Sequence, residues 1–381
     1  MLSSAMNNKK KKIMITIDWF APAYKAGGPI QSIVNMVNQL EGKAIFYIVC
    51  GHKDVDGTIL ENVIFNQWVD YNDHTMVWYA EKKHINLFKK FSESVQPDLL
   101  FCIGMFSPFF NWLPLFSLKT TSKIWSVRGM LHPGALSQKS WKKKTFLYLL
   151  KCMKLYPKIH FHATDLDEFN FIQKQISSKV KIYVAGNFSK VSKAAPPLKK
   201  LKGVLQLSTI ALISPMKNHL LVLAALAECE GEIDYHIAGA IKDQEYWEKC
   251  MRLIQILPAN IHVHYHGEIE PDQVQFLLNS IHVSINPSES ENFGHSIVEA
   301  LQSGKPVITS NYTPWKNLHK HQAGFNTALN KNDLKFAIQQ FVLMNQDEYN
   351  LYSYHAIEYI RGSVNTPALI NSYENMFNLL A

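Results

Sequence analysis

Apolar residues come in two spacings along this chain, and the two spacings alternate. Ile13–Asp18 is a run short enough for a buried strand, and Ala21–Pro29 is a glycine-containing loop. From Ile30 to Leu40 the apolar residues fall at Ile30, Ile33, Val34, Val37 and Leu40, the stripe of an amphipathic helix. Further strands are predicted at Ala44–Cys50, Leu99–Ile103, Lys123–Val127, Ile159–Ala163 and Ile182–Ala185. Thr164, with Asp167 three residues on, reads as a capping-box-like start for a helix reaching about Gln175. Between Gly186 and Lys202 the pattern gives way to Asn, Ser, Lys and a Pro196-Pro197 pair, the composition of a linker. The alternation then restarts. Strands are predicted at Val204–Ser208, Tyr235–Gly239, His262–His266, Val283–Asn286 and Pro306–Thr309, with helices around Leu220–Cys229, Gln244–Leu257, Gln273–Asn279 and Gly294–Ser303.

Strand and helix in alternation imply an α/β protein with parallel sheets, here two Rossmann-like halves divided near residue 195. A chain of 381 residues is also too long for one core. Ligands of such sheets sit beyond the carboxyl ends of the strands, so a cleft between the halves is the expected site. With 47% hydrophobic and 18% charged residues, the composition excludes disordered, collagen-like and coiled-coil classes. Cys50, Cys102, Cys152, Cys229 and Cys250 are scattered without a C-x-x-C pair, which predicts neither a disulfide framework nor a zinc site and favours a reducing cytoplasm. The opening MLSSAMNNKKKK lacks the apolar core of a signal peptide. Leu99–Leu118 is uncharged and long enough to span a bilayer, but Pro108, Asn111 and Pro114 argue for a strand, a loop and a short helix.

Charge changes the picture by halves. Residues 1–195 carry 26 Lys and Arg against 13 Asp and Glu, whereas residues 196–381 carry 13 against 18. A basic first half suggests an anionic partner, phospholipid or nucleic acid. From Lys139 to Leu155 a predicted helix interleaves Lys139, Lys142, Lys143, Lys144, Lys151 and Lys154 with Trp141, Phe146, Leu147, Leu149 and Leu150. This is the makeup of a helix lying on an anionic membrane surface or of a surface helix whose apolar stripe packs on the first half, and the basic charge of that half favours the membrane.

The most informative segment is Asn286–Ser310, NPSESENFGHSIVEALQSGKPVITS. It sets a strand, a loop with Glu289 and Glu291, a glycine at a helix start, and Glu299 inside that helix. The unpaired amides of Phe293, Gly294, His295 and Ser296 can hold a diphosphate. Glu291 then faces whatever sugar hangs from the phosphate, and Glu299 suits the vicinal hydroxyls of a ribose. Two glutamates eight residues apart would ordinarily be a solvated loop and a helix surface. The flanking residues Pro287-Ser288, Glu291-Asn292-Phe293-Gly294, Glu299-Ala300-Leu301 and Gly304-Lys305-Pro306-Val307-Ile308 change that reading. Together they resemble the signature of the family 4 glycosyltransferases, retaining enzymes of the GT-B fold, with Asn292 where Gly is commonest. Thr313-Pro314-Trp315-Lys316-Asn317-Leu318 and Arg128-Gly129-Met130-Leu131 resemble elements of the branch that builds bacterial surface polysaccharides. Tyr24–Asn35 looks like the family's first glycine-rich loop, with Gly27 and Gly28 admitting the donor diphosphate.

The resemblance implies transfer of a sugar from a nucleotide diphosphate donor to a glycan or lipid-linked acceptor, in the cytoplasm at the inner face of the membrane. It also implies three segments: an acceptor-side domain over 1–195, a nucleotide-sugar domain over 196–365, and a helix within 366–381 crossing back to the first. Donor binding is carried over to Gly27, Gly28, Lys217, Phe293, Gly294, His295, Ser296 and Glu299, and catalysis to Glu291 and His132. Leu212 stands where the family has a diphosphate-binding Arg, and Arg128 is the candidate replacement. No cofactor is implied, the nucleotide sugar being substrate. No metal is expected either, since Asp54-Val55-Asp56 and Asp165-Leu166-Asp167 lie outside a suitable site and His262, His264 and His266 read as a half-exposed strand. Two rivals remain: a glycoside hydrolase using Glu291 and Glu299, and a basic nucleic-acid-binding protein, for which no recognised motif is present.

Overall fold

A computed structural model describes residues 10–119, 122–132, 136, 140–152, 158–190, 194 and 196–379. The chain divides into two compact units, one of the residues up to Phe188 together with those from Thr366 onward, the other of Ser189–Asn365.

The first unit is built on β1 (Lys12–Thr16), β2 (Ile45–Gly51), β3 (Trp68–Asn72), β4 (Thr75–Ala80), β5 (Leu99–Ile103), β6 (Ser122–Ser126), β7 (His160–Ala163) and β8 (Ile182–Val184). They lie in the order β3-β4-β2-β1-β5-β6-β7-β8. Neighbours are parallel except at the β3–β4 hairpin. Central β5 is buried at every position, as expected of a strand covered by helices on both faces, and this is why its sequence reads as an unbroken apolar run. On one face Ile13, Ile15, Phe46 and Ile48 pack with Ile33 and Val37 of the helix Gly28–Gln39 and with Tyr373, Met376 and Phe377 of the helix Thr366–Phe377. Burial of a large apolar side chain is worth about 1.5–3 kcal/mol, so these last three residues tie the returning helix into the first unit by several kcal/mol. The opposite face packs Met14, Leu100, Trp125 and Phe161 with Phe88 and Phe91 of Leu87–Ser94 and with Leu147 and Leu150 of Ser140–Cys152.

The edge hairpin is a departure from the all-parallel expectation. Its outer strand is half-exposed and carries the exposed, charged Asp70, the composition that keeps a sheet edge from pairing further. A second departure concerns the helix Leu166–Gln175, whose cap lies one residue later than the Thr164–Asp167 spacing suggests. Asp165 accepts from the Glu168 amide at 2.7 Å, while the amide and hydroxyl of Thr164 donate to the Glu168 carboxylate at 2.6 and 2.8 Å. Leu99–Leu118 is β5 followed by a single turn at Pro108–Trp112 and the short helix Leu113–Ser117. No helix among the described residues is long and apolar enough to cross a membrane.

The second unit is a six-stranded parallel sheet, β11-β10-β9-β12-β13-β14. Its strands are β9 (Val204–Ile210), β10 (Glu232–Ala238), β11 (Ile261–Tyr265), β12 (Val283–Asn286), β13 (Val307–Ser310) and β14 (Gly324–Thr327). Chain order runs outward from β9 to β11, then crosses back to β12 on the other side of β9. That reversal opens a crevice beyond the carboxyl ends of β9 and β12, the topological switch point at which such sheets bind ligands.

Candidate functional site

At this switch point the loop after β9 meets the loop after β12. The first contains a single 3-10 turn, Pro215–Lys217, closed by Asn218 in the left-handed region at φ 57°. The Asn218 side-chain amide donates to the Pro287 carbonyl at 2.8 Å, and the Glu289 amide donates to the Met216 carbonyl at 2.9 Å. Ser310, at the end of β13, holds the Ser288 carbonyl at 2.5 Å. These bonds place Lys217 beside Glu291. The lysine Nζ donates to Glu291 Oε1, and the Ser288 hydroxyl donates to the same oxygen at 2.8 Å. Both charged side chains are largely buried, at 19% and 17% exposure, so the pair is better shielded from water than a surface salt bridge.

Gly294 opens the helix His295–Gln302 at φ 73°, a left-handed conformation, and a Cβ there would lie 3.1 Å from Ile297. Glycine is therefore favoured by the backbone conformation, and the close Ile297 side chain adds to that preference. The amides of Ile297 and Val298 already donate to the Gly294 carbonyl, which leaves an anion at this terminus the amides that precede them. Glu299 is half-buried on the same helix. Its carboxylate has no hydrogen-bond or ion-pair partner among the described residues, and burial pushes it up to about 7 against the opposing charge of Lys190. A desolvated carboxylate whose lone pairs accept no hydrogen bond is suited to the paired hydroxyls of a diol.

In the first unit the structure puts Gly27 at φ 70° ahead of the helix Gly28–Gln39. A Cβ there would meet nothing within 4 Å, so the demand for glycine is backbone conformation alone. Asp54 anchors this loop by accepting from the amides of Tyr24 and Lys25 at 2.9 and 3.2 Å, and Asp56 pairs with Lys25 at 2.6 Å. Arg128 sits at φ 48° and donates from Nη1 to the Asn187 side chain, while its Nε and Nη2 are buried without a hydrogen-bond partner. The Gly129 amide donates to Glu168. His132 is half-buried with its ring edge-on to Phe171 at 5.2 Å. His162 is fully buried between Ser126 and the Ala185 carbonyl; burial first, and the Arg128 charge second, push it down to about 3.

Among the residues singled out from sequence, Lys217, Glu291, Phe293, Gly294, His295, Ser296 and Glu299 are gathered in one unit, and Gly27, Gly28, Arg128 and His132 lie in the other. Lys217 is engaged by Glu291 rather than standing open, and Arg128 is turned onto Asn187. On β11 and just beyond it, His264 pairs with Asp234 at 2.8 Å and His266 lies 2.9 Å from His236. No cluster of metal-ligating side chains suited to an ion is present among the described residues. Of the basic-helix positions, Lys143 and Lys151 are described; Lys139, Lys154 and the side chains of Lys142 and Lys144 lie outside the described residues. Sequence reasoning missed Ser288, Asn218 and Asn187 as partners, and gave Trp315 no role. The Trp315 signal was present in the Thr313-Pro314-Trp315 element, where the indole donates to the Phe293 carbonyl.

Residues 192–357 match the family model described as Glycosyl transferases group 1. A 128-residue stretch is 28% identical to the GDP-Man:Man(3)GlcNAc(2)-PP-Dol alpha-1,2-mannosyltransferase of Dictyostelium discoideum, covering 30% of this chain and 25% of that protein. The chain thus matches about a quarter of that relative's length. Among solved structures, Anabaena Alr3699/HepE in complex with UDP and glucose superposes with a TM-score of 0.71 at 16% identity, covering 97% of this chain and 100% of the other. WaaG, a glycosyltransferase involved in lipopolysaccharide biosynthesis, gives 0.63 at 10% identity over 96% and 99%. Residues 192–357 are thus similar to a Glycosyl transferases group 1 domain, and the whole chain has the α/β fold of two parallel-sheet domains seen in GT-B glycosyltransferases.

Proposed function

We propose that the chain is a retaining, metal-independent glycosyltransferase that moves a sugar from a nucleotide diphosphate donor to a glycan or lipid-linked acceptor in surface-polysaccharide biosynthesis. The observation that carries this reading is the convergence of Lys217, Glu291, the Gly294-capped helix and Glu299 at the switch point of the second sheet. Amides at the helix start, held in place by the fold, and the Lys217 ammonium, shared with Glu291, stabilise charge that develops on the departing diphosphate. Glu291 holds the sugar and Glu299 the ribose. In the same-face route the bond from the anomeric carbon to the phosphate oxygen breaks, the acceptor oxygen bonds that carbon on the same face, and the acceptor proton passes to the departing phosphate. In the first unit, the unpaired nitrogens of Arg128 suit an anion.

The match of residues 192–357 supports a transferase over a hydrolase or a nucleic-acid-binding protein. For location, the helix Ser140–Cys152 supports work at an anionic membrane surface: Trp141 and Tyr148 are 69% and 67% exposed on the helix that carries Lys143 and Lys151. The test is turnover against a panel of nucleotide sugars with a soluble and a lipid-linked acceptor, run with and without EDTA, with the product's anomeric configuration read by NMR. Transfer with retention that survives chelation supports the reading. Inversion, or activity lost on chelation and restored by manganese or magnesium, overturns the corresponding part.

A further inference from the structure

We infer that the Lys217–Glu291 pair makes the site discriminate between the intact nucleotide sugar and the nucleoside diphosphate left after transfer, an inference that rests on the function proposed above. The argument starts from one oxygen. Both the lysine and the Ser288 hydroxyl bond Glu291 Oε1, and Oε2 accepts no bond among the described residues. With Leu212 where the resembling family has an arginine, Lys217 is one cation serving two anions, the carboxylate and the incoming diphosphate. A diphosphate that takes up Lys217 brings like charge against a largely buried carboxylate.

The intact donor compensates for this loss. Its sugar hydroxyls donate to Oε2, so Glu291 exchanges part of one charged hydrogen bond for others. The product lacks the hydroxyls of the transferred sugar and carries more negative charge on its terminal phosphate, so nothing at Glu291 offsets the weakened pair. Glu291 therefore lowers affinity for the product relative to the substrate, beyond any part it takes in transfer. The geometry fits such an exchange. Lys217 lies on a single turn and Glu291 on the facing loop, and the ammonium has three donors, enough to be shared rather than withdrawn.

The experiment is titration calorimetry of the whole protein with UDP, UDP-glucose, GDP and GDP-mannose, for wild type, Glu291→Gln, Lys217→Met and the double variant. In the base series that binds, Glu291→Gln is expected to tighten the free diphosphate by about tenfold while leaving the nucleotide sugar within a few fold. In the Lys217→Met background the same change is expected to have little effect, because no pair remains to be exchanged. Unchanged or weakened diphosphate binding in Glu291→Gln overturns the inference. So does equal tightening with and without Lys217, which would be plain repulsion. If wild type binds none of the four ligands, the proposed function fails first and the inference with it.

Discussion

The Trp315 indole donates to the Phe293 carbonyl at 2.6 Å, and the Phe293 ring lies 5.5 Å from that indole and 4.8 Å from the His295 ring. Trp315 follows β13 while Phe293 precedes the helix His295–Gln302, so one bond fixes the backbone just ahead of the proposed anion site. Trp315→Phe keeps much of the ring packing and removes the donor. We expect a stability loss of about 1–3 kcal/mol from the unpaired carbonyl, and weaker nucleoside diphosphate binding. Thermal melting and calorimetry on the same variant check both effects; unchanged diphosphate affinity would detach Trp315 from the site.

Glu299 gives a pH dependence with a definite sign. In the fold it titrates near 7, whereas in the unfolded chain a glutamate titrates at about 4.3. Between those values the unfolded chain is ionised while the folded one is largely protonated, so burial of this group penalises folding increasingly as pH rises through the window. Glu299→Gln should add almost nothing to stability at pH 4 and most above pH 7, as read from denaturant midpoints. A ribose diol that donates to the carboxylate favours its ionised form, so nucleotide binding near pH 6 should release protons. Calorimetry in buffers of different ionisation enthalpy measures that release, and Glu299→Gln should abolish it.

His162 acts in the opposite direction on the first unit. Its depressed value means that the unfolded chain takes up a proton at about 6.5 and the folded chain only near 3. The stability this provides is complete above about pH 6.5 and is lost as pH falls through the window toward 3. His162→Phe should flatten the acid dependence of first-unit unfolding, followed by tryptophan fluorescence. At pH 8 it should cost about 1–3 kcal/mol, because Ser126 and the Ala185 carbonyl lose their partner.

The proposed membrane association rests on the helix Ser140–Cys152. The wild-type protein should cosediment with vesicles containing anionic lipid at low salt and be released at high salt, since charge attraction near a bilayer is screened over about 10 Å at 0.1 M. Replacing Trp141 and Tyr148 with Ser should weaken retention at both salts, whereas replacing Lys143 and Lys151 with Glu should act mainly at low salt. Indifference of the wild-type protein to anionic vesicles would assign the exposed aromatics to another partner.

The parts of the fold legible in the sequence were those carried by local spacing. The unbroken apolar run of β5 and the glycine before His295 could be read in place, because burial on both faces and a left-handed backbone each leave a mark on adjacent residues. The β3–β4 hairpin was not read, because Trp68, Val69, Asp70 and Tyr71 do not alternate cleanly and its outer face is only half-buried. Side-chain pairing was hidden for a different reason. Lys217 and Glu291 are 74 residues apart and meet because β12 pairs with β9, and Arg128 reaches Asn187 across 59 residues. Sequence separation of that size carries no signal of contact until the strand order is known.

The second unit, Ser189–Asn365, is an insertion within a first unit assembled from both sides of it. It is therefore the piece that can be expressed as one uninterrupted segment, whereas the first unit requires its two parts to be rejoined. Cutting the chain after Asn365 would consequently injure the unit that lies farther away in sequence: Tyr373, Met376 and Phe377 would be missing from the core around Ile13 and Phe46, while the inserted sheet and its Lys217–Glu291 pair kept every residue they use.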